Sequence, residues 1–485
     1  MRRCRFFAVL FAIALSGAIL AAEEDPRNSH VFENIVEHGV DAVGAVNFYD
    51  NPHPELLEIA PSGRLSRNQA IFDLMALIYT INEVHPAMFS ECSQSDLMGA
   101  LNRTVSSLPD SLTVAELYRH AAPIVAMIGD GHTALKIPKE DILTKETKRL
   151  PILGYINNRR ELICQASLDS IIPVGANILR INGIDIDTMI DSMFTYISGE
   201  REHFKLASVS DDFHALHELL FKADRYEIEY EPWDSVTASV VTLPAVELSK
   251  IPEKQRRKRK PDYAYVADSV NNVAVMEFNR FNNPYRMTQF ADSMFSELRR
   301  KRITNLIIDV RDNVGGNSDV GDVLLRYISK EPFTQFDKML VKITPETMKL
   351  MGDSGNMVPG LFFIETDADH LIKPRNEEEG HYNGNVYLLT SNQTYSSASS
   401  FAWLFKVCGM GTVIGEETGG MSVAYGDVLT YTLPISKLSS IISYKRFWHY
   451  KADENDIHGA MPDVNVPADK AMTTALRLAE RKKRR

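Results

Sequence analysis

The spacing of hydrophobic and polar residues divides the chain into regions of different predicted secondary structure. Between about residues 65 and 145, apolar side chains recur at helical intervals. The stretch "SRNQAIFDLMALIYTINEVHP" begins at Ser66, a residue type that caps helices, and stops at Pro86. The stretch "TVAELYRHAAPIVAMIGDGHTALKIP" predicts another helix, which ends in the Gly-rich turn "GDGHT" at 129–133. The pattern predicts an α-helical unit over residues 23–148.

The spacing changes to short strands between about residues 150 and 245, with turns at "NNRR" and "INGID". The stretch "IIPVGANILRINGIDIDTMIDSM" (171–193) reads as strand, turn, strand and helix. It resembles the second half of a PDZ domain, although Asn177 stands where an acidic residue is expected. PDZ domains bind extended peptides along a sheet edge. Residues 149–250 are therefore either a PDZ-like, peptide-binding unit or a β-rich spacer without a ligand.

An α/β pattern follows the basic linker at 251–261 and extends over residues 262–485. Buried strands are predicted at 271–281, 305–310 and 385–390, each followed by a helical segment. Strands that alternate with helices predict a parallel or mixed sheet covered by helices. The stretch at about 331–383 is predicted to be an insertion that forms a lid or a specificity segment.

The N-terminal segment "MRRCRFFAVLFAIALSGAILAAEED" has three arginines, an apolar core and then small residues. This order predicts a signal peptide over residues 1–22, and hence an exported, soluble protein that is periplasmic or secreted. The net charge of −11 becomes −14 without those arginines, which disfavours nucleic acid as a partner. The remaining cysteines, Cys92, Cys164 and Cys408, match no metal-binding spacing and predict packing or one disulfide bond.

The serine-rich stretch "SNQTYSSASSFAWLF" (391–405) follows a predicted strand and opens a predicted helix. A serine at this point lies beside the free N–H groups and the positive end of the helix, which suits a nucleophile whose intermediate carries an oxyanion. Serine is also a common N-cap, so these side chains could serve only to cap the helix. Upstream, in "LIIDVRDNVGG", a buried strand is followed by Gly315 and Gly316, whose backbone could supply a further oxyanion donor.

Together these motifs resemble the C-terminal processing, or tail-specific, peptidases and the related tricorn core proteases. The resemblance rests on "NLIIDVRDNVGG", on "GNVYLLTSNQTYSSASSFAWLF" followed by "GTVIGEETGG", and on "HGAMPDVNV". It implies a multi-domain α/β protein with a helical N-terminal unit, a PDZ-like unit and a crotonase-like catalytic domain. It extends to interphotoreceptor retinoid-binding protein, in which this fold binds apolar ligands.

The resemblance also implies roles for single residues. Ser396 takes the position of the nucleophile, and a shift of one residue would select Ser397 instead. In the first alignment, the N–H groups of Gly316 and Ser397 form the oxyanion hole. Two positions depart from the family pattern: Ser399 replaces a glutamate, and Val314 interrupts a glycine run.

The general base cannot be the family's catalytic lysine, because Met421 occupies that position. Lys406 is not at the matching place, and we expect it on an exposed helix face. The tricorn-like branch uses an upstream histidine, which corresponds to His132, with His458 as the nearest rival. The carboxylate that orients the histidine corresponds to Asp456, or to Glu454 if the loop is offset.

The sequence thus predicts a serine endopeptidase that acts on peptides or proteins through an acyl-enzyme, without a metal or an organic cofactor. Two alternatives remain open. One is a non-catalytic binding protein for apolar ligands or peptides on the same fold, and the other is an esterase-type acyl hydrolase.

Overall fold

The structure is a computed structural model that describes residues 54–58, 63–235, 237–251, 260–352, 357–366 and 370–483. The predicted signal peptide and most of the basic linker lie outside these ranges. Within them, no helix combines the length and the hydrophobicity needed to cross a membrane. Cys92, Cys164 and Cys408 are all unpaired thiols, so the predicted disulfide is not formed among them.

The N-terminal unit is helical, as predicted. In the longest of these helices, the Ser66 hydroxyl accepts from the backbone N–H of Gln69, whose side chain binds the N–H of Ser66 in return. The unit consists of α1 (Pro54–Leu57), α2 (Arg67–Val84), α3 (Gln94–Ser107), α4 (Val114–Ala126) and α5 (Lys139–Ile142), with the short strands β1 (Leu65–Ser66), β2 (Ser111–Leu112) and β3 (Ala134–Leu135).

The second unit is a sheet with the strand order β4-β5-β6-β8-β9, in which β7 pairs with β6. Its strands are β4 (Ile152–Ile156), β5 (Leu162–Ser167), β6 (Asn177–Ile181), β7 (Ile184–Asp185), β8 (Arg225–Glu231) and β9 (Ser239–Pro244). Helix α6 (Ile186–Phe194) follows β7, as the PDZ-like pattern predicts. The prediction of short strands throughout this region is wrong for α7 (Glu202–Phe221), whose buried Leu206, Val209, Phe213 and Leu216 recur at helical spacing against the same core.

The third unit is a mixed sheet with the strand order β10-β11-β12-β15-β16-β19. Its strands are β10 (Tyr263–Asp268), β11 (Val273–Phe278), β12 (Asn305–Asp309), β15 (Asn385–Thr390), β16 (Thr412–Gly415) and β19 (Val464–Asn465). Only the edge strand β10 is antiparallel to its neighbour. The helices are α8 (Pro284–Arg300), α9 (Asp319–Ile328), α11 (Ser397–Val407) and α12 (Ala468–Lys483), and they pack on its two faces, which confirms the predicted arrangement.

A second, antiparallel sheet connects the N-terminal unit to this C-terminal region. It has the order β14-β13-β18-β17, and β3 pairs with β18 through Ala134 opposite Ile441. Its strands are β13 (Phe336–Ile343), β14 (Gly360–Glu365), β17 (Val423–Thr432) and β18 (Ser439–His449), with α10 (Pro345–Met351) between β13 and β14. Because β3 follows the "GDGHT" turn directly, this pairing fixes His132 against the C-terminal sheet.

Candidate active site

Ser396 occupies a strained position at the start of α11. Its φ of 52° and ψ of −131° lie outside the regions that residues with a side chain normally adopt. Although it is the N-cap residue, its hydroxyl makes no capping hydrogen bond in the described structure. Strain of this kind persists only where the surroundings impose it, and it concentrates at functional sites. The geometry therefore favours a role for Ser396 other than capping.

Two backbone N–H groups lie beside Ser396 and are available to a ligand. These are the N–H groups of Gly316 and Ser397. Gly315 has a φ of +97° and lies against the start of α11, since a Cβ on it would be 2.8 Å from the nitrogen of Ser397. Within the described ranges, neither the N–H of Gly316 nor that of Ser397 donates a hydrogen bond. Asn313 holds this loop, since its side chain donates to the carbonyl of Phe278 and accepts from the N–H of Gly315. The arrangement can act as an oxyanion hole.

The hydroxyl of Ser397 is already engaged in the structure. It donates to the carbonyl oxygen of Gly316 at 2.6 Å and lies 2.9 Å from the hydroxyl oxygen of Ser318. Both contacts link the start of α11 to the glycine loop. Ser397 therefore contributes a free N–H but not a free hydroxyl, which favours Ser396 over Ser397 as the nucleophile.

His132 lies between the N-terminal unit and the serine segment. Its Nδ1 is 3.1 Å from the hydroxyl of Tyr395 and 3.8 Å from Oδ1 of Asp130. Its Nε2 is buried and has no hydrogen-bond partner in the described part of the chain. Burial lowers the pKa of His132 below its usual value, against an opposing effect of Asp130 and Asp427. The imidazole is therefore neutral at pH 7, and Nε2 can accept a proton.

Asp130 is fully buried beside this histidine. Its carboxylate accepts from the hydroxyl of Ser443 at 2.7 Å and the backbone N–H of His132 at 2.8 Å, and it lies 3.3 Å from Nε2 of His85. Burial raises the pKa of Asp130, but the hydrogen bond and the charge of His85 outweigh it and bring the pKa to about 2. Asp130 is thus a permanent negative charge next to the candidate base.

Ser396, His132, Gly316 and Ser397 all line one cavity of about 630 Å³. Ser396 and His132 make no direct hydrogen bond across it in the described structure. Catalytic hydrogen bonds are often long before a substrate binds, so the gap is compatible with catalysis. Met421 also lines the cavity, and its thioether cannot take a proton in place of the family's lysine. Four of the five predicted site residues are therefore brought together.

The fifth residue, Asp456, is not brought to His132. Its Oδ1 accepts from the backbone N–H of His458 at 2.9 Å, which closes a local turn. Glu454 pairs with Arg446 at 3.3 Å, and His458 contacts Glu417 at 3.2 Å on an exposed surface. The contact that the sequence predicts between Asp456 and the histidine is absent among these described residues, because Asp130 and Tyr395 already occupy the surroundings of Nδ1.

Other predicted side chains have structural roles. Arg311 donates to both carboxylate oxygens of Asp309, at 2.9 and 2.7 Å, and this pair supports the turn after β12. Lys406 pairs with Asp463 at 2.8 Å, away from the cavity lining. Ser399 donates to Thr418 and Gly420, so the hydroxyl that replaces the family's glutamate is also satisfied.

Sequence reasoning missed a second serine–histidine pair in the same cavity. The hydroxyl of Ser400 lies 2.6 Å from Nε2 of His449, and Nδ1 of His449 contacts the carbonyl of Ser422. Burial lowers the pKa of His449 to about 4, although the bond to Ser422 opposes the shift. No motif marks His449 in the sequence, because it is brought in by the pairing of β18 with its neighbours.

Only Asp130, His132 and Glu200 could together hold a metal ion among the described residues; their ligand atoms lie within 4.8 Å of one another. Both carboxylate oxygens of Glu200 are buried without a hydrogen-bond partner. Burial, and then the charge of Asp130, raise the pKa of Glu200 to about 8, so this carboxyl is mostly neutral at pH 7. A proton on Glu200 thus avoids a second negative charge beside Asp130.

Comparison with known proteins finds a match for the C-terminal part of the chain. Residues 272–466 match the model of peptidase family S41. The crystal structure of mature CPAF aligns with a TM-score of 0.63 and 12% identity, over 85% of this chain and 97% of that one. Mature CPAF complexed with lactacystin aligns with a TM-score of 0.62 and 13% identity, over 86% and 97%. These alignments show a common fold, and the chain is a serine-type peptidase with a family S41 domain.

Proposed function

We propose that this protein is a serine endopeptidase in which Ser396 is the nucleophile and His132 the general base. The observation that carries the proposal is the state of Ser396. It is strained, its side chain makes no capping bond in the described part of the chain, and it shares a cavity with Nε2 of His132, which has no hydrogen-bond partner there either. The flanking N–H groups of Gly316 and Ser397 support it, because they offer donors where an oxyanion would form.

The first half of the reaction forms an acyl-enzyme. Ser396 Oγ bonds to the carbonyl carbon of the substrate while its proton passes to Nε2 of His132. The carbonyl oxygen becomes an oxyanion and accepts from the N–H groups of Gly316 and Ser397. When this intermediate collapses, the carbon–nitrogen bond breaks and the imidazolium returns the proton to the leaving amine.

Hydrolysis of the acyl-enzyme regenerates the site by the same steps in reverse. His132 takes a proton from water, whose oxygen attacks the ester, and then returns a proton to Ser396 Oγ as the ester bond breaks. Each imidazolium is stabilised by the charge of Asp130, 3.8 Å from Nδ1. We assign to Asp130 the electrostatic role that the sequence predicts for Asp456, since Asp456 binds its own turn instead.

Three further features of the proposal rest on the sequence. Export rests on the predicted signal peptide at 1–22, and peptide binding by residues 149–250 rests on the PDZ-like pattern. The proposed catalytic domain spans 262–485. CPAF has been crystallised with lactacystin, which makes this compound the first ligand to test on the present chain.

Peptide hydrolysis by the purified protein tests the proposal. A mixture of peptides blocked at both ends is incubated with the protein and with Ser396→Ala, and the products are identified by mass spectrometry. We expect internal cleavage by the unchanged protein and none by Ser396→Ala at equal folding, judged by circular dichroism. Cleavage of esters alone would identify an esterase instead, and a folded protein that hydrolyses neither class would contradict the proposal.

A further inference from the structure

Tyr395, which directly precedes the candidate nucleophile, is hydrogen bonded to the side chain of His132. Its hydroxyl lies 3.1 Å from Nδ1, and the two rings are stacked with their centroids 4.6 Å apart. The ring of Phe204, at the start of α7, stacks on the same tyrosine at 4.2 Å. The sequence analysis assigns no role to Tyr395, and the predicted triad does not include it.

The glycine before His132 makes this contact possible. A Cβ on Gly131 would lie 2.3 Å from the hydroxyl oxygen of Tyr395 and 2.7 Å from the ring of Phe204. Any larger residue would therefore push the tyrosine off the imidazole. The "GDGHT" turn thus has a specific local function, which is to leave room for the hydroxyl beside Nδ1.

We infer that Tyr395 is a positioning residue for the general base: its hydroxyl oxygen accepts from Nδ1–H of His132 and so leaves Nε2 free to take the proton of Ser396. This inference rests on the proposed function. A neutral imidazole carries one proton, so holding it on Nδ1 selects the tautomer in which Nε2 is the acceptor. The stacked ring also fixes the plane of the imidazole.

The charges around the pair fit this assignment. Burial, followed by the charges of Glu200 and Asp130, raises the pKa of Tyr395 well above its usual value, so the phenol stays neutral. A neutral phenol orients the imidazole without adding a charge of its own, and Asp130 supplies the charge. The orienting and the electrostatic tasks, which one carboxylate combines in a Ser-His-Asp triad, are divided here between two residues.

Tyr395→Phe tests the inference because it removes the hydroxyl and keeps both ring contacts. We expect kcat to fall about 10- to 100-fold with KM unchanged, since the base loses its orientation. Imidazolium donates more strongly than neutral imidazole, so loss of the acceptor lowers the pKa of His132, and the acid limb of kcat/KM moves to lower pH. Tyr118→Phe is the matched control: its buried hydroxyl has no partner in the described structure, and its kinetics should not change.

The tautomer can be measured without activity. In Ser396→Ala protein labelled with ¹⁵N-histidine, the His132 signals, assigned by their loss in His132→Gln, should show the proton on Nδ1. Adding Tyr395→Phe should mix the tautomers. A proton on Nε2 in the presence of Tyr395, or an unchanged kcat and pH profile in a folded Tyr395→Phe protein, would overturn the inference. Full activity in Ser396→Ala would instead overturn the proposed function.

Discussion

Two serine–histidine pairs line the same cavity, and they differ in hydrogen bonding, in the backbone conformation of the serine and in the N–H groups beside it. Ser400 and His449 are hydrogen bonded at 2.6 Å, whereas Ser396 and His132 make no direct bond in the described structure. Ser400 lies inside α11, where its own N–H donates to the carbonyl of Ser396. Ser396 is strained and lies before the helix, beside two N–H groups that find no acceptor among the described residues.

The comparison shows that a short serine–histidine distance is not enough to identify a nucleophile. A tetrahedral intermediate at Ser400 would find no free backbone donor from its own helical turn, because that N–H is already used. Its histidine also has a pKa of about 4, which makes it a weak base at pH 7. The unbonded pair has the oxyanion donors and the charged neighbour Asp130, and we therefore expect it to be the catalytic one.

The largest expected effect separates the two serines. Ser396→Ala should lower kcat by about 10⁵- to 10⁶-fold, as removal of the nucleophile does in other serine peptidases. Ser400→Ala removes the hydroxyl that contacts His449 and the carbonyl of Ser396, should cost about 1–2 kcal/mol of stability, and should leave kcat within about tenfold. Both are measured with one blocked peptide at saturating concentration. Equal losses in the two folded variants would remove the distinction between the pairs.

The histidines should differ next. His132→Ala should reduce kcat by about 10²- to 10⁴-fold, because it removes general base assistance. His449→Asn should keep most of the activity and lower the melting temperature, since it disturbs buried hydrogen bonds to Ser400 and Ser422. Steady-state kinetics and thermal unfolding of both variants check this. If His449→Asn were the less active folded variant, the assignment of the base would be reversed.

A smaller effect on kcat is expected when one added atom displaces a donor of the oxyanion hole. In Gly315→Ala the new Cβ would lie 2.8 Å from the nitrogen of Ser397 and 2.9 Å from Cβ of Ser396. It should displace a donor and lower kcat by about 10²- to 10³-fold. Gly352→Ala is the control, because Gly352 also has a positive φ of +70° but faces open space. That change should cost only about 1–2 kcal/mol of stability and leave kcat unchanged.

The last difference concerns the dependence of stability on pH, which does not affect the nucleophile directly. Burial lowers the pKa of His449 to about 4, so between pH 6.5 and 4 the unfolded chain binds a proton that the folded protein does not. The contribution of His449 to the free energy of unfolding is therefore complete above pH 6.5. As the pH falls, the free energy of unfolding decreases, by about 3 kcal/mol at pH 4 and below. Urea unfolding of the protein and of His449→Asn at pH 7 and pH 4.5 measures it, and the variant should lose less stability on acidification.

Local signals in the sequence predicted much of the fold and part of the site. Ser66 and Pro86 marked the ends of α2 correctly within two residues, because caps and prolines act on the backbone next to them. Helix α7 was missed, although its apolar spacing is helical, since the surrounding strand pattern and the PDZ-like stretch suggested a β-rich unit. The glycine loop and the serine-rich stretch were found because strand ends and helix starts are visible in the chain, whereas the choice of Ser396 within that stretch came from the family resemblance.

The surroundings of His132 could not be predicted in the same way. Asp130 is two residues away in the sequence, but its burial depends on Ser443 and His85, which only the folded chain brings to it. His449 reaches the cavity through the pairing of β18 with its neighbours, and the contact between Tyr395 and His132 joins segments that are distant in the sequence. The choice of Asp456 came from the family resemblance, and in this structure that side chain stabilises its own turn.

Labelling by a fluorophosphonate probe, followed by peptide mapping of the adduct, tests the central claim most directly. Ser396 and Ser400 lie in the same tryptic peptide, which spans "TYSSASSFAWLF". Fragmentation of this peptide in the mass spectrometer must therefore locate the modified residue. We expect a single adduct on Ser396, formed at a rate that His132→Ala strongly reduces and His449→Asn does not. An adduct on Ser400, or no adduct on the folded protein, would contradict it.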